Sequence, residues 1–256
     1  MPLPTYVILG AQKCGTSSLS ATFRRHRQIH TSRPKELHYF DRPKGRTLEW
    51  YAEQFKPLPH HRAWGEATPS YLYDAEARDR CVEALPDAKF IVMLRDPAKR
   101  AYSHFWHNHR LGFEDLEVFE EALDQEPARL DGDSRTARIR FSYLDRGRYI
   151  DQLEALEERV GRERIHVVLL EDLVAERVPT LEQVFTYVGV DASWAEKIPA
   201  VHTNKYRVEQ SDGSTVAAAY PPLNQQTRAR IVTELAPETR RLEAWLHRDL
   251  SAWLHA

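Results

Sequence analysis

Nothing in this chain restricts its fold more than the passage from Tyr6-Val7-Ile8-Leu9 into Gly10-Ala11-Gln12-Lys13-Cys14-Gly15-Thr16-Ser17-Ser18. A short, unbroken apolar run reads as a strand buried on both faces, as in a parallel sheet. The glycines that follow let the backbone turn tightly and bring N–H groups close to an anion. A helix expected over Thr16 to His26 aims its N-terminus and its dipole at the same place. Thr16, Ser17 and Ser18 add hydroxyl donors, and Lys13 adds a mobile full charge. Gly10, Gln12, Lys13, Cys14, Gly15, Thr16, Ser17 and Ser18 are therefore candidate anion-binding residues. The glycine spacing is that of a nucleotide P-loop, yet a Walker A loop reads G-x-x-x-x-G-K-[ST]. Here Thr16 stands where that lysine belongs and Lys13 sits inside the loop.

The same strand signal recurs at Phe90 to Leu94 and at Ile165 to Leu170, with a weaker one at Ala63-Trp64-Gly65. Helical patterns lie between them: Ala75 to Ala84, Pro97 to His109, a face of Tyr149, Ile150, Leu153, Leu156 and Val160, and a C-terminal face from Leu242 to Leu254. Strand–helix alternation predicts an α/β fold with a central parallel β-sheet flanked by helices. Arg42 to Thr47, Gln125 to Thr136 and Ala200 to Leu223 read as irregular. No linker divides the 256 residues, so one domain over 1–256 is expected. The formal net charge of −2 argues against the surface as a whole binding nucleic acid or anionic membrane, although local basic clusters could bind a polyanion. Two cysteines, Cys14 and Cys81, make no disulfide framework. With no secretory signal and no apolar run of about 18 residues, a cytoplasmic chain without a membrane span is expected.

A second basic motif follows Leu94. Arg95 can make a planar, charge-assisted fork to phosphate. Asp96 can cap the helix opened by Pro97. Ser103, one to two turns on, could donate to the same phosphate, while Lys99 and Arg100 read as solvated surface. His104 and His107 would share a helix face, but no cysteine or carboxylate cluster accompanies them, so a metal is not expected. Taken from the residues alone, an ordinary strand-to-helix turn and a displaced Walker A both stay open. No magnesium-binding aspartate at a strand end supports the second.

Together these residues resemble the sulfotransferase superfamily that uses 3′-phosphoadenosine 5′-phosphosulfate, nearest to its heparan sulfate sulfotransferase branch and bacterial relatives. The Gly10 to Leu19 segment resembles the family's 5′-phosphosulfate loop, and Leu94 to Ser103 its 3′-phosphate motif. Pro34-Lys35-Glu36-Leu37-His38-Tyr39-Phe40-Asp41 resembles the segment bearing the acceptor-activating glutamate. Gly65-Glu66-Ala67-Thr68-Pro69-Ser70-Tyr71 resembles a fourth recurring segment. The resemblance implies a P-loop NTPase-like three-layer fold, a nucleotide sulfate donor, an acceptor molecule and no metal.

It further implies in-line transfer of a sulfuryl group, with the protein mostly positioning reactants and stabilising spreading charge. Lys13 is expected at the bridging and sulfate oxygens, with Arg95 and Ser103 on the 3′-phosphate. Glu36 is the expected general base and His38 the reserve, because residues two apart in an extended segment face one side. Glu66 is expected to orient Lys13, contact the acceptor or serve as a structural carboxylate. Arg148, with Lys205 or Arg207, could complete the 3′-phosphate site. Heparan-type relatives often carry lysine where this chain has Ala67, which puts a heparan-like acceptor in doubt. Two other readings compete: a P-loop kinase-like phosphotransferase using ATP, and a nucleotide-binding module without catalysis.

Overall fold

The computed structural model describes residues 2–42, 44–132, 134–201, 207–209, 215–217 and 220–255, with the backbone alone for 207–209 and 215–217. In chain order its main elements are β1 (Tyr6–Gly10), α1 (Thr16–Phe23), β2 (Ile29–Thr31), α2 (Leu48–Ala52), β3 (Ala63–Ala67), α3 (Ala75–Ala84), β4 (Lys89–Leu94), α4 (Pro97–Arg110), α5 (Phe119–Leu130), α6 (Arg135–Phe141), α7 (Tyr149–Val160), β5 (Ile165–Leu169), α8 (Leu170–Ala175), α9 (Arg177–Val188), α10 (Trp194–Lys197), β6 (Arg207–Glu209), β7 (Thr215–Ala217) and α11 (Gln225–Leu246). They group into two compact units, residues 1–95 with 149–201, and residues 96–148 with 202–256.

The first unit is an α/β layer built on a five-stranded sheet of order β2-β3-β1-β4-β5, parallel at every pairing. All five residues of β1 are buried, as are Phe90 to Leu94 of β4. That is why these strands read as continuous apolar runs rather than alternating ones. Each fully buried aliphatic or aromatic side chain contributes roughly 1.5–3 kcal/mol. β3 is an inner strand, not an edge. Gly65 lies where β3 meets β1, and a Cβ there would come within 2.0 Å of the Tyr6 carbonyl oxygen. β2 went unread in the sequence because three residues, one of them His30, give no apolar run. α7 turns the expected face of Tyr149, Ile150, Leu153, Leu156 and Val160 inward.

In this order β2 and β3 lie on one side of β1, and after β3 the chain crosses to β4 and β5 on the other. Such a switch point opens a crevice beyond the carboxyl ends of the strands. The Gly10 to Ser18 segment leaves β1 there.

The second unit is built from α4, α5, α6, the antiparallel pair β6–β7 and α11. Its core joins Ala98, Ala101, Phe105, Phe119, Leu123, Tyr143, Ile231 and Leu235. Three expectations are corrected here. Gln125 to Leu130 is not irregular, since α5 runs through it and carries Pro127 inside. The C-terminal helix ends at Leu246, and only a short turn over Ser251–Trp253 follows. Arg100 is not solvated: it is fully buried and donates to the Ser142 and Tyr143 carbonyls. A guanidinium can satisfy backbone carbonyls deep in a core, which composition does not reveal. Glu126 accepts from the Leu144 and Asp145 N–H groups, and burial pushes its carboxyl up to about 7.

Candidate active site

Within the first unit the loop after β1 is braced from below. Ala11 N–H donates to the Met93 carbonyl at 2.7 Å, tying the loop to β4. Gly15, the residue before α1, has φ 90°, a left-handed conformation that suits glycine. A Cβ there would also meet Leu170 Cδ1 at 2.7 Å. Without a side chain Gly15 cannot cap the first amides of α1, and no acidic residue lies in that first turn. Lys13 itself is left-handed, with φ 70°. A non-glycine residue held there is strained by about 1–3 kcal/mol, a cost that collects at functional sites.

Arg95 comes to the same loop, its Nη1 donating to the Lys13 carbonyl at 3.4 Å. Tyr149, at the start of α7, joins the two. Its buried hydroxyl donates to the Arg95 carbonyl at 2.9 Å and lies 3.6 Å from Cys14 Sγ. Cys14 Sγ also donates to the Gln12 carbonyl oxygen at 3.8 Å. Sequence periodicity marks Tyr149 only as one apolar position of α7. Its proximity to Cys14 and Arg95 is a product of the fold alone.

Beyond β2 the chain carries a run of charged partners. Lys35 Nζ lies 2.6 Å from Glu36 Oε1, and His38 Nε2 lies 3.3 Å from Glu36 Oε2. His38 Nδ1 lies 2.8 Å from Asp41 Oδ2, which also accepts from Ser70 Oγ at 2.6 Å. Both ring nitrogens of His38 therefore face carboxylates, which accept only, so the ring must carry both protons. Burial alone would lower the His38 pKa, but hydrogen bonds to Asp41 and Glu36 outweigh it and raise it to about 9. For Glu36 burial pushes upward, and His38 and Lys35 overcome it, bringing the carboxyl down to about 2. Asp41 is lowered in the same way, against its burial, by His38 and Ser70. His38 has φ 50°, so the segment is not extended there; the side chains meet through this turn rather than through strand alternation.

Glu66, at the end of β3, is 2% exposed. It accepts from the Tyr51 hydroxyl at 2.9 Å, the Tyr71 hydroxyl at 3.2 Å, the Thr68 hydroxyl and the Leu37 N–H at 3.3 Å. Burial pushes its carboxyl up, while these donors pull it back. Tyr71 Oη in turn accepts from the Tyr39 and Phe40 N–H groups at 2.9 and 3.3 Å. Glu66 and Tyr71 thus grip the backbone on both sides of His38 from inside the core. Ala67 is buried.

The remaining sites expected from the sequence belong to the second unit. Asp96 caps α4, accepting from Ala98 N–H at 2.9 Å and Lys99 N–H at 3.2 Å, and it pairs with Arg228 at 2.9 Å. Ser103 is buried, its Oγ 3.3 Å from Tyr220 Oη. Arg148 is paired with Glu238, and with Glu234 at 3.5 Å. Lys205 and the Arg207 side chain lie outside the described residues. Among the described residues no group of three His, Cys, Asp or Glu is placed to hold a metal ion. No described helix is long and apolar enough to cross a membrane.

Residues 44–196, more than half of the chain, match the model of the Sulfotransferase family. A crystal structure of a sulfotransferase from Alicyclobacillus acidocaldarius superposes with a TM-score of 0.80 and 29% identity, over 99% of both chains. The chain is 36% identical over 106 residues to the membrane-associated sulfotransferase kil1 of Dictyostelium discoideum, covering 40% of this chain and 22% of that protein. It is 35% identical over 103 residues to human heparan sulfate glucosamine 3-O-sulfotransferase 3B1, covering 40% of this chain and 26% of that protein. The chain thus spans about a quarter of the length of these curated relatives.

Proposed function

We propose, for a chain that belongs to the sulfotransferase family, transfer of a sulfuryl group from 3′-phosphoadenosine 5′-phosphosulfate to an acceptor hydroxyl, with an amine the lesser alternative. The observation that carries this reading is the junction of Lys13, Arg95 and Tyr149 at the sheet's switch point. A cationic loop and a guanidinium are held there by one set of hydrogen bonds. Lys13 and the amides at the start of α1 meet the 5′-phosphosulfate, where negative charge grows as the leaving phosphate departs. Arg95 grips the 3′-phosphate as a charge-assisted fork. Ser103 and Arg148 are proposed for that phosphate on the sequence motif alone, as are Lys205 and Arg207.

Glu36 is the proposed base. His38 is protonated well past neutrality, so it holds no free lone pair for the acceptor proton. A carboxylate with a pKa of about 2 is a weak base, which suits proton transfer concerted with, and late in, sulfuryl transfer. His38 and Asp41 orient Glu36, and Glu66 with Tyr71 holds the backbone that bears it. The charges needed on the donor come from side chains and backbone, so no metal enters the proposal. The acceptor class stays as wide as small hydroxylated molecules, lipids and carbohydrates. Ala67, buried where heparan-type relatives often have lysine, weighs against a heparan-like acceptor.

The test is donor dependence. Incubation of the chain with the sulfate donor and a mixture of hydroxylated acceptors should add a sulfate mass to one of them. Transfer of phosphate from ATP with magnesium, and none from the sulfate donor, would instead establish the kinase-like reading. Donor binding with no transfer to any acceptor would favour the module without catalysis.

A further inference from the structure

Residues 24–33 and 56–62 differ in charge balance from the rest of the chain. They hold six Lys and Arg and four His, with no Asp or Glu, whereas the rest of the chain has 30 Lys and Arg against 38 acidic residues. The fold brings the two segments together. Ile29 pairs with Ala63, and the Arg62 N–H donates to the Gln28 carbonyl at 2.8 Å. The Lys56 N–H donates to His30 Nε2 at 3.3 Å. The His30 and His61 rings lie 5.5 Å apart, and those of His60 and His61 4.3 Å. Arg24, Arg25, Arg27, Arg33, Lys56, His60 and Arg62 are all exposed.

Leu58 stands among these cations, 57% exposed between Pro57 and Pro59. Its N–H donates to His61 Nδ1 at 2.8 Å, which fixes the turn. The two prolines restrict φ on either side, so the leucine is presented at little entropic cost.

We propose that this face docks on an anionic lipid bilayer, with the cations against headgroups and Leu58 entering the headgroup–acyl boundary. A soluble polyanion would complement the charge but leave the exposed leucine in water. A bilayer takes both, the charges by surface potential and the leucine by apolar burial. Apart from Arg33, the cations precede β2 and β3 and so lie at the amino ends of these strands. The Gly10 to Ser18 loop, Glu36 and Arg95 follow carboxyl ends. Docking therefore leaves the candidate site open to solution.

The experiment is sedimentation of the full chain with vesicles of phosphatidylcholine, with and without phosphatidylglycerol, at neutral pH and low salt. Binding to the anionic vesicles alone is expected. The pair Lys56→Glu/Arg62→Glu should weaken it at least about tenfold. The pair Arg24→Glu/Arg25→Glu is a second disruption should the first fail to fold by circular dichroism. Leu58→Ser should weaken binding severalfold, with sulfate transfer to a soluble acceptor unchanged. Equal binding to both vesicle types, or full binding in a folded charge-reversed pair, would overturn the proposal. So would absence of vesicle binding, including the case where soluble heparin still binds.

Discussion

At the residue scale, the chemistry of Glu36 is set by its neighbours more than by its identity. Replacing it with Gln keeps the shape and removes the proton acceptor. Turnover should fall by at least about 100-fold, as for loss of a general base, with donor affinity kept. Steady-state kinetics beside calorimetric binding of adenosine 3′,5′-bisphosphate separates the two, and unchanged turnover would remove Glu36 from its role. His38 offers an independent check. Its folded pKa is raised, so the stability it lends is full below the ordinary value near 6.5 and is lost as pH climbs through about 9. Glu36 runs the other way: its contribution is full above the ordinary carboxylate range and is lost as pH falls through about 2. An imidazole NMR titration should place the His38 midpoint near 9, and Asp41→Asn should lower it toward the ordinary range. A midpoint near 6.5 in the native chain would show that the ring is not held between two carboxylates. The identity of these residues was legible in the sequence. Their pairing was not, because it depends on a left-handed turn at His38 that no periodicity signals.

At the scale of elements, two tyrosines anchor the two halves of the proposed chemistry. Tyr149 ties the loop after β1 to the residue after β4, and Tyr71 ties the segment after β2 to the end of β3. Tyr149→Phe deletes one hydrogen bond to Arg95 and the contact with Cys14. A bond of about 0.5–1.5 kcal/mol corresponds to roughly 2–12-fold weaker binding of adenosine 3′,5′-bisphosphate, read by calorimetry. Tyr71→Phe strips the acceptor from the Tyr39 and Phe40 N–H groups and one donor from Glu66. It should lower kcat while sparing donor affinity, at a stability cost of about 1–3 kcal/mol by denaturant unfolding. The same affinity loss in both variants would erase the division between donor-holding and acceptor-activating elements. The strand–loop–helix unit of β1 and α1 could be read in advance because glycine spacing and a full apolar run are local signals. The tyrosine anchors could not. In the sequence Tyr149 is one apolar position of α7, and its partners lie 54 and 135 residues away.

On the scale of the whole molecule, the parallel order β2-β3-β1-β4-β5 explains why motifs scattered over the first 95 residues serve one end of one sheet. Unbroken apolar runs predicted the inner strands. The edge strand β2 and the helix carrying Pro127 escaped because tertiary packing overrides weak local preference. If the donor site is as proposed, its product binds the native state and not the unfolded one. Saturation at 100 times the dissociation constant should then stabilise the chain by about 2.7 kcal/mol, seen as a raised Tm. The most direct measurement is a crystal structure with adenosine 3′,5′-bisphosphate bound. The account predicts the 5′-phosphate against Lys13 and the first turn of α1, with the 3′-phosphate forked by Arg95. Nucleotide lodged elsewhere, with Lys13 and Arg95 untouched, would contradict it.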